Sequence, residues 1–185
     1  MTAAHSVLSV IAASHLEIEE QAFIAACGEG EVPMNEGDGF SPFTILYSGG
    51  TLREPNANIK VIKGFRYWQG GLASFPDWAG ASTAGQLTST AAGLCQDTRT
   101  TFRGEAAGFG ITDFTPPSQV QFNIKLAHKV FKAASGGTEL ITALKAGASG
   151  LALIPTYLIS TWPGGCDRRF PKRYGANLAA LQLVS

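Results

Sequence analysis

The chain carries no surplus of charge of either sign. Fourteen Lys and Arg face fourteen Asp and Glu, so no field of one sign steers the whole molecule toward nucleic acid or an anionic membrane. Cysteine is scarce: Cys27, Cys95 and Cys166 are the only three. Their odd number and the lack of a CxxC spacing argue against a disulfide framework or a zinc site. Reduced, mostly buried thiols are expected, with one pair left open. Long hydrophobic runs are missing too. The apolar stretch at residues 7–13 is short and no Lys or Arg precedes it, so neither a Sec signal peptide nor a membrane span is expected. There is no Walker A loop, no HExxH, no GxSxG elbow and no strand–GxGxxG–helix unit. The three histidines, His5, His15 and His128, lie far apart. His128 falls in the middle of a helical pattern and reads as a packed residue rather than a base.

What is present is apolar and punctuated. The 185 residues are 45% hydrophobic and 15% charged, with 22 glycines and nine prolines. That fits one domain, residues 1–185, with a sizeable core and many turns between short elements. Residues 1–14 read as a mobile arm or a first helix. Leu16, Phe23, Ile24 and Cys27 recur near helical spacing, which predicts a helix over 16–27 ended by Gly28 and Gly30. Residues 43–47 and 59–62 read as strands. Residues 63–88 alternate aromatics with glycine in no strict period and read as a loop, lining a substrate or packing on the surface. Ser89 and Thr90 read as caps of a helix starting near Ala91.

Thr115-Pro116-Pro117 marks a helix start, with Thr115 at the N-cap and Pro116 at the first helical position. Two apolar stripes follow, Val120, Ile124, Ala127, Phe131 and Phe122, Leu126, Val130, so this helix is central and Gly136-Gly137 stops it. Further helices are expected over 139–146 (capped by Thr138), over 151–162 (started or kinked by Pro155), and over 176–184. A basic loop with Arg168, Arg169, Lys172 and Arg173 precedes the last one; it reads as a solvated face in preference to a surface that touches anionic envelope polymers. No repeat, linker or low-complexity tract interrupts the chain. Short helices around a small sheet in the N-terminal half make this α+β, mostly helical.

Four acids, Glu29, Glu31, Glu36 and Asp38, stand within ten residues. A solvated acidic loop is the plain reading. Calcium binding lacks the EF-hand spacing. The third reading is chemical: a carboxyl at the end of a buried helix has its pKa raised by the apolar surroundings, and so keeps a proton to donate.

Several stretches resemble the phage-lambda-type endolysins. Residues 89–93 read Ser-Thr-Ala-Ala-Gly, with Gln96 and Thr101-Phe102 beyond, and resemble that family's STAAGRYQ…TW. Ala22-Phe23 before an acidic Glu-Gly resembles its AFLxxIAxxEGT helix. Gly39-Phe40 and Tyr47-Ser48-Gly49-Gly50 resemble its GY…VGG hairpin. Residues 109–119 closely resemble LGLxDFSPxSQD. Trp162-Pro163-Gly164 and Tyr174-Gly175 fit its SLPG and YGQ. The resemblance runs in colinear order over about residues 22–184. Leu94-Cys95 stand where the family has Arg-Tyr, and Phe75-Pro76 where it has His-Pro.

The resemblance implies a lysozyme-like fold with a small antiparallel hairpin facing a helical lobe. It implies cleavage of the β-1,4 bond between N-acetylmuramic acid and N-acetylglucosamine in peptidoglycan. The expected route is lytic transglycosylation with one catalytic Glu and no metal or other cofactor. That Glu is Glu29 if the Glu-Gly dipeptide is matched, and Glu31 if Ala22-Phe23 is matched without a gap. Helical phase favours Glu31. A glycine that lets the chain leave the helix sharply favours Glu29, and the balance tips narrowly to Glu29. Tyr47 and Ser48 are expected on the opposite wall of the cleft. Gln96 is expected either to bond a sugar N-acetyl group or to hold its own loop. The resemblance also implies a protein that gathers in the host cytoplasm and reaches the wall through a holin. The partner is a glycan strand, with no nucleic acid and no stable membrane insertion, and a monomer is expected. A hydrolytic muramidase on the same fold needs a second carboxylate, for which Asp38 is the nearby candidate. A non-catalytic domain that binds peptidoglycan or builds a virion is the reading from another class.

Overall fold

The computed structural model describes residues 7–32, 41–82 and 88–183. Glu36, Asp38 and Gly39-Phe40, which the sequence singles out, lie outside them, as do residues 1–6.

The chain starts with α1 (Val7–Ala12), which buries Val7 and Ile11. Helix α2 (Ile18–Glu31) follows, and Ala22 to Cys27 are wholly buried on it. A helix without an exposed face in its middle runs through a core rather than over one. Glu20 closes its first turn, accepting from the Glu17 N–H at 3.1 Å. The expected stop at Gly28 and Gly30 is not where α2 ends. Both glycines are helical because neighbours press on them. A Cβ on Gly28 would lie 2.6 Å from Leu94 Cδ1, and one on Gly30 would lie 2.3 Å from the Gly164 carbonyl oxygen. They admit close contact instead of ending the helix, and α2 carries on to Glu31.

The sheet region has more strands than the two expected, although the first of these is shorter. Residues Pro42–Thr44 form a 3₁₀ turn, which shortens the first strand to β1 (Ile45–Leu46). Next come β2 (Thr51–Leu52), β3 (Ile59–Ile62) and β4 (Phe65–Trp68), then β5 (Ala81–Ser82) and β6 (Thr88–Ser89). They make two antiparallel sheets, ordered β1-β4-β3 and β2-β5-β6. Residues 65–68 are therefore strand, not loop. Lys63 and Gly64 both have positive φ, 49° and 83°; two such residues make the tight turn whose twist suits a hairpin.

No helix forms at Ala91. Residues 91–97 fold as a loop bridged by Leu46↔Ala92 and Ala92↔Asp97, and α3 (Arg99–Glu105) starts later, capped by Thr98. Thr90 still serves that helix, accepting from the Arg99 N–H at 3.1 Å. Helix α4 (Pro116–Ala134) begins at the expected Thr115. The Thr115 hydroxyl does not cap it, because that hydroxyl donates to Asp113 Oδ1 at 2.6 Å. Two polar residues are buried on α4. Gln119 accepts from the Leu94 N–H and donates to the Phe43 and Phe114 carbonyls, tying the 91–97 loop to the hairpin base.

Helix α5 spans Leu140–Lys145, with Glu139 rather than Thr138 at its N-cap. The helix expected over 151–162 is two short ones, α6 (Ala148–Leu151) and α7 (Leu153–Leu158). This places Pro155 in the first turn of α7, where its missing N–H has no intrahelical acceptor to disappoint. Helix α8 (Phe170–Gln182) starts inside the expected basic loop. It packs along α2, with the Phe23 ring 5.6 Å from Phe170 and 6.3 Å from Trp162. A second aromatic group, Phe75, Phe102, Phe114 and Phe122, fills the space under the sheets. Phe75 is core, as are Trp68 and Trp78. The end of α2, the hairpin and the start of α8 thus come together around Glu31.

Candidate functional site

Glu31 is the last residue of α2 and is half-buried. Its Oε1 accepts from the Gly164 N–H at 2.9 Å and the Gly165 N–H at 2.7 Å. Two adjacent backbone donors hold the carboxyl in one orientation. Oε2 has no hydrogen-bond partner among the described residues. The pKa of Glu31 is raised from the ordinary glutamate value. Burial is the main cause, opposed by the Gly165 and Gly164 N–H groups and by Arg173, and aided by Asp167.

The glycine pair is itself held. Arg173 donates through Nη2 to the Gly164 and Gly165 carbonyls at 3.0 and 2.6 Å, and through Nε to the Ala26 carbonyl at 3.0 Å. Its guanidinium also pairs with Asp167 at 3.0 Å, with only 10% of the side chain exposed. This arginine is no solvated surface charge; it fixes the 164–165 loop to the end of α2.

Opposite Glu31 lies a recess of about 230 Å³ whose walls include Tyr47, Ser48, Phe65 and Gln96. The Ser48 and Gln96 side chains bond backbone groups as well. The Ser48 hydroxyl donates to the Leu46 carbonyl and accepts from the Arg66 N–H. The Arg66 guanidinium donates to the Tyr47, Gly49 and Gly50 carbonyls. Gln96 takes a left-handed φ of 55° and donates to the Gly93 carbonyl at 3.0 Å and the Ile45 carbonyl at 3.4 Å. Its side chain holds its own loop, and its Oε1 accepts nothing from the described residues. Phe65, 37% exposed, forms the rim.

The sequence candidates Glu31, Tyr47, Ser48 and Gln96 therefore converge on one recess. Glu29 does not join them. It is exposed and receives a hydrogen bond from Asn177 Nδ2 at 3.0 Å. It lines a separate groove with Arg169, Lys172 and Arg173.

Two parts of the site escape sequence reading. Arg173 and the Gly164-Gly165 amides lie more than a hundred residues from Glu31, and no spacing rule links them. Asp97 is only 4% exposed. Its carboxyl accepts from Asn123 Nδ2 at 3.0 Å, while Asn123 Oδ1 is buried with no partner. Burial pushes its pKa up to about 7 against that hydrogen bond, and the charge of Glu31 adds to the rise. Leu94 and Cys95, which replace Arg-Tyr of the resembled family, are both fully buried. Cys27, Cys95 and Cys166 are free, buried thiols. Among the described residues, no group of three or more His, Cys, Asp or Glu is set to hold a metal ion. None of their helices is long and apolar enough to cross a membrane.

No family model matches the sequence, and no curated protein matches it. One solved structure, lysozyme from bacteriophage lambda, is similar in fold. Its TM-score is 0.56 at 13% identity, over 92% of this chain and 96% of that chain. The fold is lysozyme-like, α+β with small antiparallel sheets.

Proposed function

We propose that this chain is a peptidoglycan-cleaving enzyme of phage origin, and that Glu31 rather than Glu29 is its general acid. One observation carries the choice. Glu31 is half-buried, has a raised pKa, and keeps Oε2 free beside the recess while Oε1 is pinned by two amides. Glu29 is exposed and does not line the recess with Tyr47, Ser48 and Gln96. The lysozyme-like fold supports peptidoglycan as the substrate by analogy.

The chemistry follows from one carboxyl group. Protonated Glu31 gives its Oε2 proton to the glycosidic oxygen of the bond between N-acetylmuramic acid and N-acetylglucosamine. The muramic 6-hydroxyl attacks the anomeric carbon as the bond breaks, and the Glu31 carboxylate takes that hydroxyl proton. The product carries a 1,6-anhydro ring. Lytic transglycosylation needs this one carboxyl, whereas hydrolysis needs a second to activate water or form the glycosyl intermediate; among the described residues the recess is lined by Glu31 as its carboxylate, and Asp38, the candidate for a second, lies outside them. Asp97, the nearest buried acid, is too enclosed to reach a substrate. The same reading takes the protein as a monomer, and has it accumulate in the host cytoplasm and reach the wall through a holin.

Substitution separates the two glutamates. Glu31→Gln is expected to lower lytic activity by roughly 10²–10⁴-fold, the usual range for a lost general acid, and Glu29→Gln to leave it within about twofold. The reverse pattern would move the acid to Glu29. A wild type that pulls down with sacculi yet never cuts them would make the domain a binder.

A further inference from the structure

The groove on the other side of Glu31 carries charge that the proposed reaction does not use. Its volume is about 660 Å³, and it lies between the end of α2 and the first turns of α8. Glu31 and Val32 border both this groove and the hairpin recess, so the two meet at the proposed acid. Their walls differ in kind. The hairpin side offers Tyr47, Ser48, Phe65 and Gln96, none of them a carboxylate or a cation. The α8 side offers three cations, Arg169, Lys172 and Arg173, with Glu29.

Not all of that charge is available. Arg173 is spent on Asp167 and the 164–165 carbonyls. The Arg169 Nε lies 2.7 Å from Asp167 Oδ2, and Glu29 is engaged by Asn177. The Lys172 side chain is exposed and has no partner among the described residues. Among the described residues, Lys172 is thus the groove cation left without a partner, beside the point where the glycan would be cut.

N-acetylated sugars bring no ionised group to such a wall. In peptidoglycan the ionised groups sit on the peptide stem, which hangs from the lactyl arm of each muramic acid and carries carboxylates. We propose that the groove between α2 and α8 receives the peptide stem of the muramic acid at the cleavage point, with a stem carboxylate against Lys172. This rests on the peptidoglycan-cleaving reading and extends it from the sugar to the stem.

The test compares intact sacculi with sacculi whose stem carboxylates have been converted to amides by carbodiimide coupling with ammonia, which leaves the sugars and the lactyl amide unchanged; each is cut by the wild type, Lys172→Ala, Lys172→Glu and Lys172→Arg. The wild type is expected to cut unmodified strands with the lower KM. Lys172→Ala should raise that KM about threefold, the scale of one exposed ion pair, and Lys172→Glu should raise it further. Both variants should match the wild type on amidated strands, and Lys172→Arg should keep the preference. The difference should shrink as salt rises. A wild type that cuts both substrates with the same KM overturns the stem assignment alone, as do variants that weaken equally on both. A wild type that releases nothing from either substrate overturns the cleavage reading itself.

Discussion

At the residue scale, the half-buried Glu31 and the buried Asp97 work under opposite constraints. Glu31 has one oxygen held by amides and one open to the recess. Asp97 is closed off, and its partner Asn123 has an oxygen with no donor. The pKa of Asp97 rises from 3.8 in the unfolded chain to about 7 in the fold. Between these values the folded state holds a proton that the unfolded state has released. Stability contributed by neutral Asp97 is therefore full below about pH 4, falls as pH rises to about 7, and is level above that. The whole step is on the order of 4 kcal/mol, from about 1.4 kcal/mol per pKa unit. Asp97→Asn should remove most of this slope and raise the melting temperature at pH 7.5 but not at pH 4. The new amide also offers a donor to Asn123 Oδ1. Thermal melts across pH read this directly, and a variant less stable than the wild type at pH 7.5 would contradict it.

At the element scale, the end of α2 is built by contact rather than by its own sequence. Gly30 lets the helix touch the 164–165 loop, where a Cβ would lie 2.3 Å from the Gly164 oxygen and 2.7 Å from Arg173 Nη2. Gly30→Ala is expected to cost about 1–3 kcal/mol through overpacking and to lower activity more than its stability loss explains, since it displaces the donors on Glu31. Chemical denaturation with a parallel activity assay separates the two, and full activity in a folded Gly30→Ala would refute the link. This is also where the sequence misleads. Two glycines after an apolar helical pattern look like a stop, and only the distant Leu94 and Gly164 make them spacers. The long central α4 was legible because Thr115-Pro116 and its apolar stripes are local signals. The hairpin of β3 and β4 was half legible: Ile59–Ile62 is rich in β-branched residues and follows a turn cluster, but Phe65–Trp68 hides among irregularly spaced aromatics. Tyr47, Ser48 and Gln96 were legible through a resemblance in their order along the chain. Arg173 was not, because a buried cation and a solvated one look alike in a basic stretch.

At the scale of the whole molecule, helical lobe and sheets share one apolar interior, and the three thiols lie within it. The pKa values of Cys27 and Cys95 are both raised, burial being the largest cause at Cys27 and the main upward one at Cys95. Buried thiols of this kind are inert. A thiol reagent should label none of the three in the native protein and all three once it is unfolded; fast labelling before unfolding would show the core to be looser than described. The fold matches lambda lysozyme over nearly its full length despite 13% identity, so the chemistry has to be read from the site and not from the fold. The most direct test is mass spectrometry of the fragments that the purified protein releases from sacculi. Single-carboxylate action by Glu31 predicts muropeptides about one water lighter than hydrolysis products, ending in 1,6-anhydromuramic acid with no reducing end. Reducing-end products would contradict it and require a second carboxylate at work.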